Sequence, residues 1–225
     1  DAMSEQQIRE HFAALDSRNT KLKIFAGAGA YDHYTPSVVP YLAARSEFST
    51  AYTPYQAEIS QGTLRYIFEY QSMICELTGM EISNASMYDG PTAAAEAMFM
   101  AIACTKKKTR VLLSDTLLPN VRNVVETYAR FHGVALGNIA QKDGQTSLES
   151  LKAELEAGDV AGIIVPAVNR FGIVEDFTGF ADAVHEAKAI VVEYCDPSVL
   201  AVIKTPGEWG FDVAVGDGRS LGLPL

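Results

Sequence analysis

The chain has 225 residues, 48% of them hydrophobic and 20% charged, with 18 Lys and Arg against 28 Asp and Glu, a formal net charge of −10 and a pI near 4.8. That length closes a sizeable core without disulfides or metals, since single domains run to roughly 250 residues. The acid excess argues against nucleic acid or an anionic membrane as partner, because either needs a basic face to displace counterions. The one basic run, Lys106-Lys107-Lys108 with Arg110, reads as a solvated loop. Cys75, Cys104 and Cys195 lie far apart, each in an apolar run, and read as reduced, buried thiols of a cytoplasmic protein. No apolar run approaches the roughly 18 residues of a membrane span, and the polar start DAMSEQQIREHF does not read as a signal peptide.

Taken in chain order, Ser4 with Gln7 three residues on forms a capping box, and Ile8, Phe12 and Leu15 follow at helical spacing, which predicts a helix over 4–18. From Phe25 to Gln61 the chain is dense in Gly, Pro, Tyr and Thr, with one short helix near 38–45. Long aromatic loops inside a compact domain are usually functional. Helical spacing resumes over 62–78 through Leu64, Ile67, Phe68, Ile74 and Leu77, and Gly79 stands where a helix ends. Beyond it, β-like runs at 110–113, 134–136, 162–165, 189–192 and 211–215 alternate with helical segments at 92–103, 120–131, 147–156 and 178–187. Strands separated by helices of that length are βαβ units, so the class is α/β with a mainly parallel sheet flanked by helices. The expected organisation is an N-terminal helix with Gly- and Tyr-rich loops over 1–62 and an α/β domain over 63–225, cut before a further C-terminal domain.

In such a sheet the ligand site lies at the carboxyl ends of the strands. Gly27-Ala28-Gly29 could open a dinucleotide fingerprint, but the third glycine position is Asp32 and the segment follows a helix, not a strand. Gly218-Arg219-Ser220-Leu221-Gly222 matches the nucleophile elbow formally, yet a hydrolase needs its acid and histidine after the serine and the chain stops at Leu225. His11, His33, His132 and His185 have no mutual metal-ligand spacing, and apart from His33 they read as surface or capping histidines. Ser86-Met87-Tyr88-Asp89-Gly90-Pro91-Thr92 runs into an apolar helix. Free N–H groups at such a start make an anion site, and plain N-capping accounts for the same residues equally well.

Four segments resemble the P-protein of the glycine cleavage system. They are FAGAGAYDHY at 25–34, AYTPYQAEISQG at 51–62, SNASMYDG at 83–90 and GDGRSLG at 216–222, in the family's order and across nearly the whole chain. The likeness is strongest to the N-terminal half of that enzyme as it occurs in the two-subunit bacterial form. It implies the large domain of the aspartate-aminotransferase-like, fold type I enzymes that use pyridoxal phosphate (PLP). The family decarboxylates glycine and passes the aminomethyl group to the lipoyl arm of H-protein.

PLP chemistry needs a lysine for the imine, an acid against the pyridine nitrogen and donors for the phosphate. In the family's lysine-bearing half the lysine follows the strand's Asp, here Asp212, by about eight residues, and the acid precedes it by about nineteen. The resemblance therefore puts Ser220 in the lysine position and Glu193, or nearby Asp196, in the acid position, with no catalytic residue in this chain. Ser86, Asp89 and Thr92 become the relic of a phosphate site. PLP is then expected on a lysine-bearing partner subunit, within a heterotetramer that works with lipoylated H-protein. This chain would line the partner's glycine site through Gly27, Gly29, Tyr31, Asp32, His33, Tyr52, Thr53, Tyr55, Gln56 and Glu58, the tyrosines as rigid walls and the glycines as close backbone approach. The alternative is a non-catalytic scaffold or regulatory module of the same fold that docks H-protein.

Overall fold

A computed structural model describes residues 2–23, 25, 31, 33–49, 54, 56–105 and 107–223. Four helices come first: α1 (Glu5–Asp16), α2 (Val38–Ala43), α3 (Ser46–Ser49) and α4 (Ala57–Thr78). Then follow α5 (Gly90–Thr105), β1 (Arg110–Ser114), α6 (Pro119–His132), β2 (Ala135–Ile139), a small hairpin of β3 (Gln141–Lys142) and β4 (Gln145–Thr146), α7 (Leu148–Leu155), β5 (Val160–Pro166), α8 (Phe180–Glu186), β6 (Ile190–Tyr194) and β7 (Val213–Val215). The five long-range strands form one sheet in the order β2-β1-β5-β6-β7, and every neighbouring pair is parallel. The expected class is what the chain adopts.

Helices cover both faces, and the sequence explains which goes where. α5 is apolar all round, and its Ala94, Ala95, Ala97 and Ala101 are small enough to lie against the sheet. A Cβ on Gly162 of β5 would meet the Ala101 methyl at 2.8 Å, so the close approach requires glycine there. α6 buries Val121, Val125 and Ala129 at spacings of four, packing beside α5 against Val111, Leu113, Ala161, Ile164 and Val192. On the opposite face α7 and α8 contribute Leu151, Phe180 and Val184 to a cluster with Leu112, Ile163, Val165, Val191 and the rings of Phe177 and Phe211. Each such side chain contributes about 1.5–3 kcal/mol by leaving water.

The N-terminal helices are a different matter. α1 has the expected capping box, with Ser4 and Gln7 bonded reciprocally, yet buries no residue. α4 begins at Ala57, five residues before the predicted start, because its first turn is broken from the rest at Ser60. Its far end is anchored to the sheet domain: Leu77 packs against a cluster of Ala167, Cys195 and Leu200, and Gly207 N–H donates to the Thr78 carbonyl. The β3–β4 hairpin was not foreseen, since two-residue strands carry no periodic signal. Of the cysteines expected to be buried, Cys195 is, Cys75 is half-buried and Cys104 is exposed. The uniform hydrophobicity of α5 hid the direction its last turn faces. Among the described residues no helix is long and apolar enough to cross a membrane.

Candidate functional site

The sheet order reverses beside β1, and α5, the loop after β5 and the segments after β6 and β7 all meet its carboxyl edge. At the start of α5 the Asp89 carboxylate accepts the Thr92 N–H at 2.7 Å and the Asp89 carbonyl accepts the Ala93 N–H at 2.9 Å. The helix start thus carries its own anion. A negative charge there suits both the unsatisfied N–H groups and the dipole. Just upstream Ser86 sits at φ 142°, in a region non-glycine residues rarely enter, and its hydroxyl turns to the Met87 carbonyl. Gly90 is pinned against the strand ends: a Cβ there would lie 2.7 Å from the Tyr194 hydroxyl and 3.0 Å from the Gly216 carbonyl carbon.

Tyr194, not Glu193, is therefore the β6 side chain that meets the start of α5. Burial, with Asp217 and Asp89 close by, pushes its phenol up, so it stays protonated. Strand alternation turns Glu193 to the other face, that of Val191 and of Val165, its in-register neighbour on β5. Glu193 is 0% exposed and neither carboxyl oxygen has a hydrogen-bond partner. Asp196 is occupied: its carboxylate accepts from the Ser198 N–H at 2.9 Å and hydroxyl at 2.8 Å, shaping the turn after β6. Ser220 lies in a 3-10 turn, Gly218–Leu221, capped by the Asp217 carboxylate, and its Oγ is buried without a partner. That turn does not present a nucleophile, and His185 is engaged elsewhere, bonded through Nε2 to both Asp212 oxygens at 3.0 and 3.2 Å.

A second cluster, not anticipated from the sequence, fills the edge between β1 and β5. Glu175, buried, accepts from the Thr116 hydroxyl, the Asn169 amide and the Thr146 N–H, each at 2.7 Å, and Ser114 joins Thr116 and Thr146 by hydroxyl contacts of 2.8 and 2.7 Å. Asn169 also holds the loop after β5 through Phe171 N–H and Gly144 carbonyl. A Glu after the turn-forming Asn-Arg-Phe-Gly was the only trace of this network in the chain.

Of the residues expected to line a glycine site, Tyr31 is half-exposed and His33, Gln56 and Glu58 are exposed, the last in the first turn of α4. Gly27, Gly29, Asp32, Tyr52, Thr53 and Tyr55 lie outside the described residues. Among the described residues no His, Cys, Asp or Glu cluster could hold a metal.

The three positions that the resemblance assigns to PLP do not fit it. A serine hydroxyl cannot form an imine. The acid position is sealed on the face away from α5, and the phosphate position already contains the Asp89 carboxylate, which would repel a phosphate placed on the same N–H groups. The edge of this chain is built to be closed.

Comparison with known proteins agrees with the sequence resemblance. The family model described as "Glycine cleavage system P-protein" matches residues 1–225. A protein named probable glycine dehydrogenase (decarboxylating) subunit 1 from Moorella thermoacetica is 49% identical over 223 residues, covering 99% of this chain and 50% of its own length. Its counterpart from Desulforamulus reducens is 47% identical over 226 residues, again with 99% and 50% covered. The chain thus spans about half the length of the curated relatives it matches. The crystal structure of a glycine decarboxylase (P-protein) in inhibitor-bound form superposes with a TM-score of 0.92 at 43% identity, over 100% of this chain and 50% of that one. A structure titled "SspA in complex with cysteine" has a TM-score of 0.71 at 14% identity, over 90% of this chain and 59% of that one, a likeness of fold alone. By the full-length match of the family model, the chain belongs to the glycine cleavage system P-protein family.

Proposed function

We propose that this chain is part of the lysine-lacking subunit of a glycine decarboxylase, and that it completes an active site whose PLP is held by a lysine-bearing partner subunit. The observation that carries this is the edge just described: a family member whose lysine position is Ser220 and whose phosphate position is taken by Asp89 serves the reaction from outside the cofactor site. Its contribution is then to position glycine and exclude water. Glycine offers almost no side chain to grip, so it must be oriented through its carboxylate and by walls that reject bulk. The Gly- and Tyr-rich segments around 25–34 and 51–62 supply such groups, with His33, Gln56 and Glu58 exposed and available to a partner.

The test pairs the full-length subunit with its lysine-bearing partner and lipoylated H-protein, and follows exchange of the glycine carboxyl carbon with bicarbonate. Tyr52→Phe and His33→Ala are expected to lower turnover while the assembled complex keeps its size. Unchanged turnover in both would leave only a scaffold. Titrating PLP into the subunit alone is expected to give no stoichiometric, borohydride-reducible imine; one trapped lysine per chain would overturn the assignment.

A further inference from the structure

We propose that Glu193 is held inside the folded chain as a neutral carboxylic acid, and that keeping this proton makes the sheet progressively less stable as pH rises, until the folded group itself ionises. Carboxylates are almost never fully buried unless paired, and each orphaned buried polar group asks for a reason. Among the described residues Glu193 has neither a cation nor a hydrogen-bond donor on either oxygen. It stands on β6, an interior strand, with Val165 and Ala214 as its in-register neighbours on β5 and β7. Leu77 of α4, Leu200 and Ile203 close the strand end around Cys195 with apolar side chains. α5, on the other face, turns Ala94 and Met98 to the sheet. Among the described residues no charged group shifts it, and the titratable groups nearest in sequence are Tyr194, whose phenol stays protonated, Cys195, whose thiol burial pushes up with Glu193 and Asp196 adding to the effect, and Asp196, tied to Ser198. None of them is a positive charge. Burial alone pushes the Glu193 carboxyl up to about 8.

The consequence for stability has a definite sign. Below about pH 4 the carboxyl is protonated in folded and unfolded chains alike, and costs nothing extra. As pH rises past that ordinary range the unfolded chain gives up the proton and the folded chain keeps it. The ratio of folded to unfolded chain then falls about tenfold per pH unit, until the folded group itself ionises near 8 and the loss is complete. The inference stands on burial and not on the family's reaction, so its failure and that of the proposed function read out separately.

The experiment uses the full-length subunit. Infrared titration with carbon-13-labelled glutamate is expected to show a protonated-carboxyl band that survives above pH 6.5, disappears with a midpoint near 8, and is missing in Glu193→Gln. In denaturant unfolding at a series of pH values, Glu193→Gln is expected to gain on the wild type about tenfold per unit between pH 5 and 8 and to hold level above that. A glutamate band already lost by pH 6, or a wild-type-to-variant ratio independent of pH, would falsify the proposal. Should Glu193→Gln not fold, the infrared titration of the wild-type chain decides alone.

Discussion

The two ends of this chain follow opposite rules. After residue 89 most large apolar side chains are inside, sorted by strand alternation and helix spacing onto two faces of one sheet. Before it, Ile8, Phe12, Tyr41, Phe48, Ile59, Phe68, Met73 and Ile82 are all exposed, and α1 and α2 bury nothing. Local signals are intact in both regions, since α1 has a full capping box and α4 a left-handed Gly79 stop. What differs is whether the helix has a surface to cover, which capping and periodicity do not encode.

That contrast yields graded predictions. The largest effect belongs to Gly216→Ala, because a Cβ there would sit 1.9 Å from the Cys195 carbonyl oxygen, backbone against backbone; soluble folded chain should not accumulate, a loss beyond about 4–5 kcal/mol. Next, Met98→Ala in α5 should cost about 2–5 kcal/mol in denaturant unfolding, whereas the similarly large truncation Phe68→Ala in α4, at a residue 64% exposed, should stay within about 0.5 kcal/mol for this chain alone. Equal losses at the two sites would erase the distinction between regions. Asp89→Ala should cost about 1 kcal/mol as a lost helix cap, read by thermal melting, and should not create PLP binding. Smallest is Ser4→Ala: it removes the α1 cap, so amide exchange in residues 5–8 should quicken, while the global melting curve stays where it was.

The parallel α/β class, the five strand positions and the helix stop at Gly79 were legible because periodicity and left-handed glycines are local properties of the chain. That Ser220 stands in the lysine position is what the family resemblance implies, counting from Asp212 as the counterpart of the family's strand aspartate. The way the edge is sealed was not. Asp89 reads equally as a cap or as part of an anion site, and only the structure shows its carboxylate on the Thr92 N–H. The Glu175 network joins residues from four separate segments, and no spacing rule connects Ser114 to Thr146 or Asn169. Glu193 and Asp196 are three residues apart and chemically alike, yet one is entombed and the other bonds a turn.

The Asp89 cap bears on how such a half could ever change its role. Placing a lysine at position 220 would supply an amine but no room for a phosphate, because the helix start would still carry its resident carboxylate and Gly90 would still be wedged against Tyr194. Removing Asp89 first would weaken the helix without any cofactor to compensate. Each single step toward a working site would be unfavourable before the others are taken, so under the proposed function the division of labour between the two halves would act as a ratchet, with the way back requiring coordinated changes at positions 89, 193 and 220.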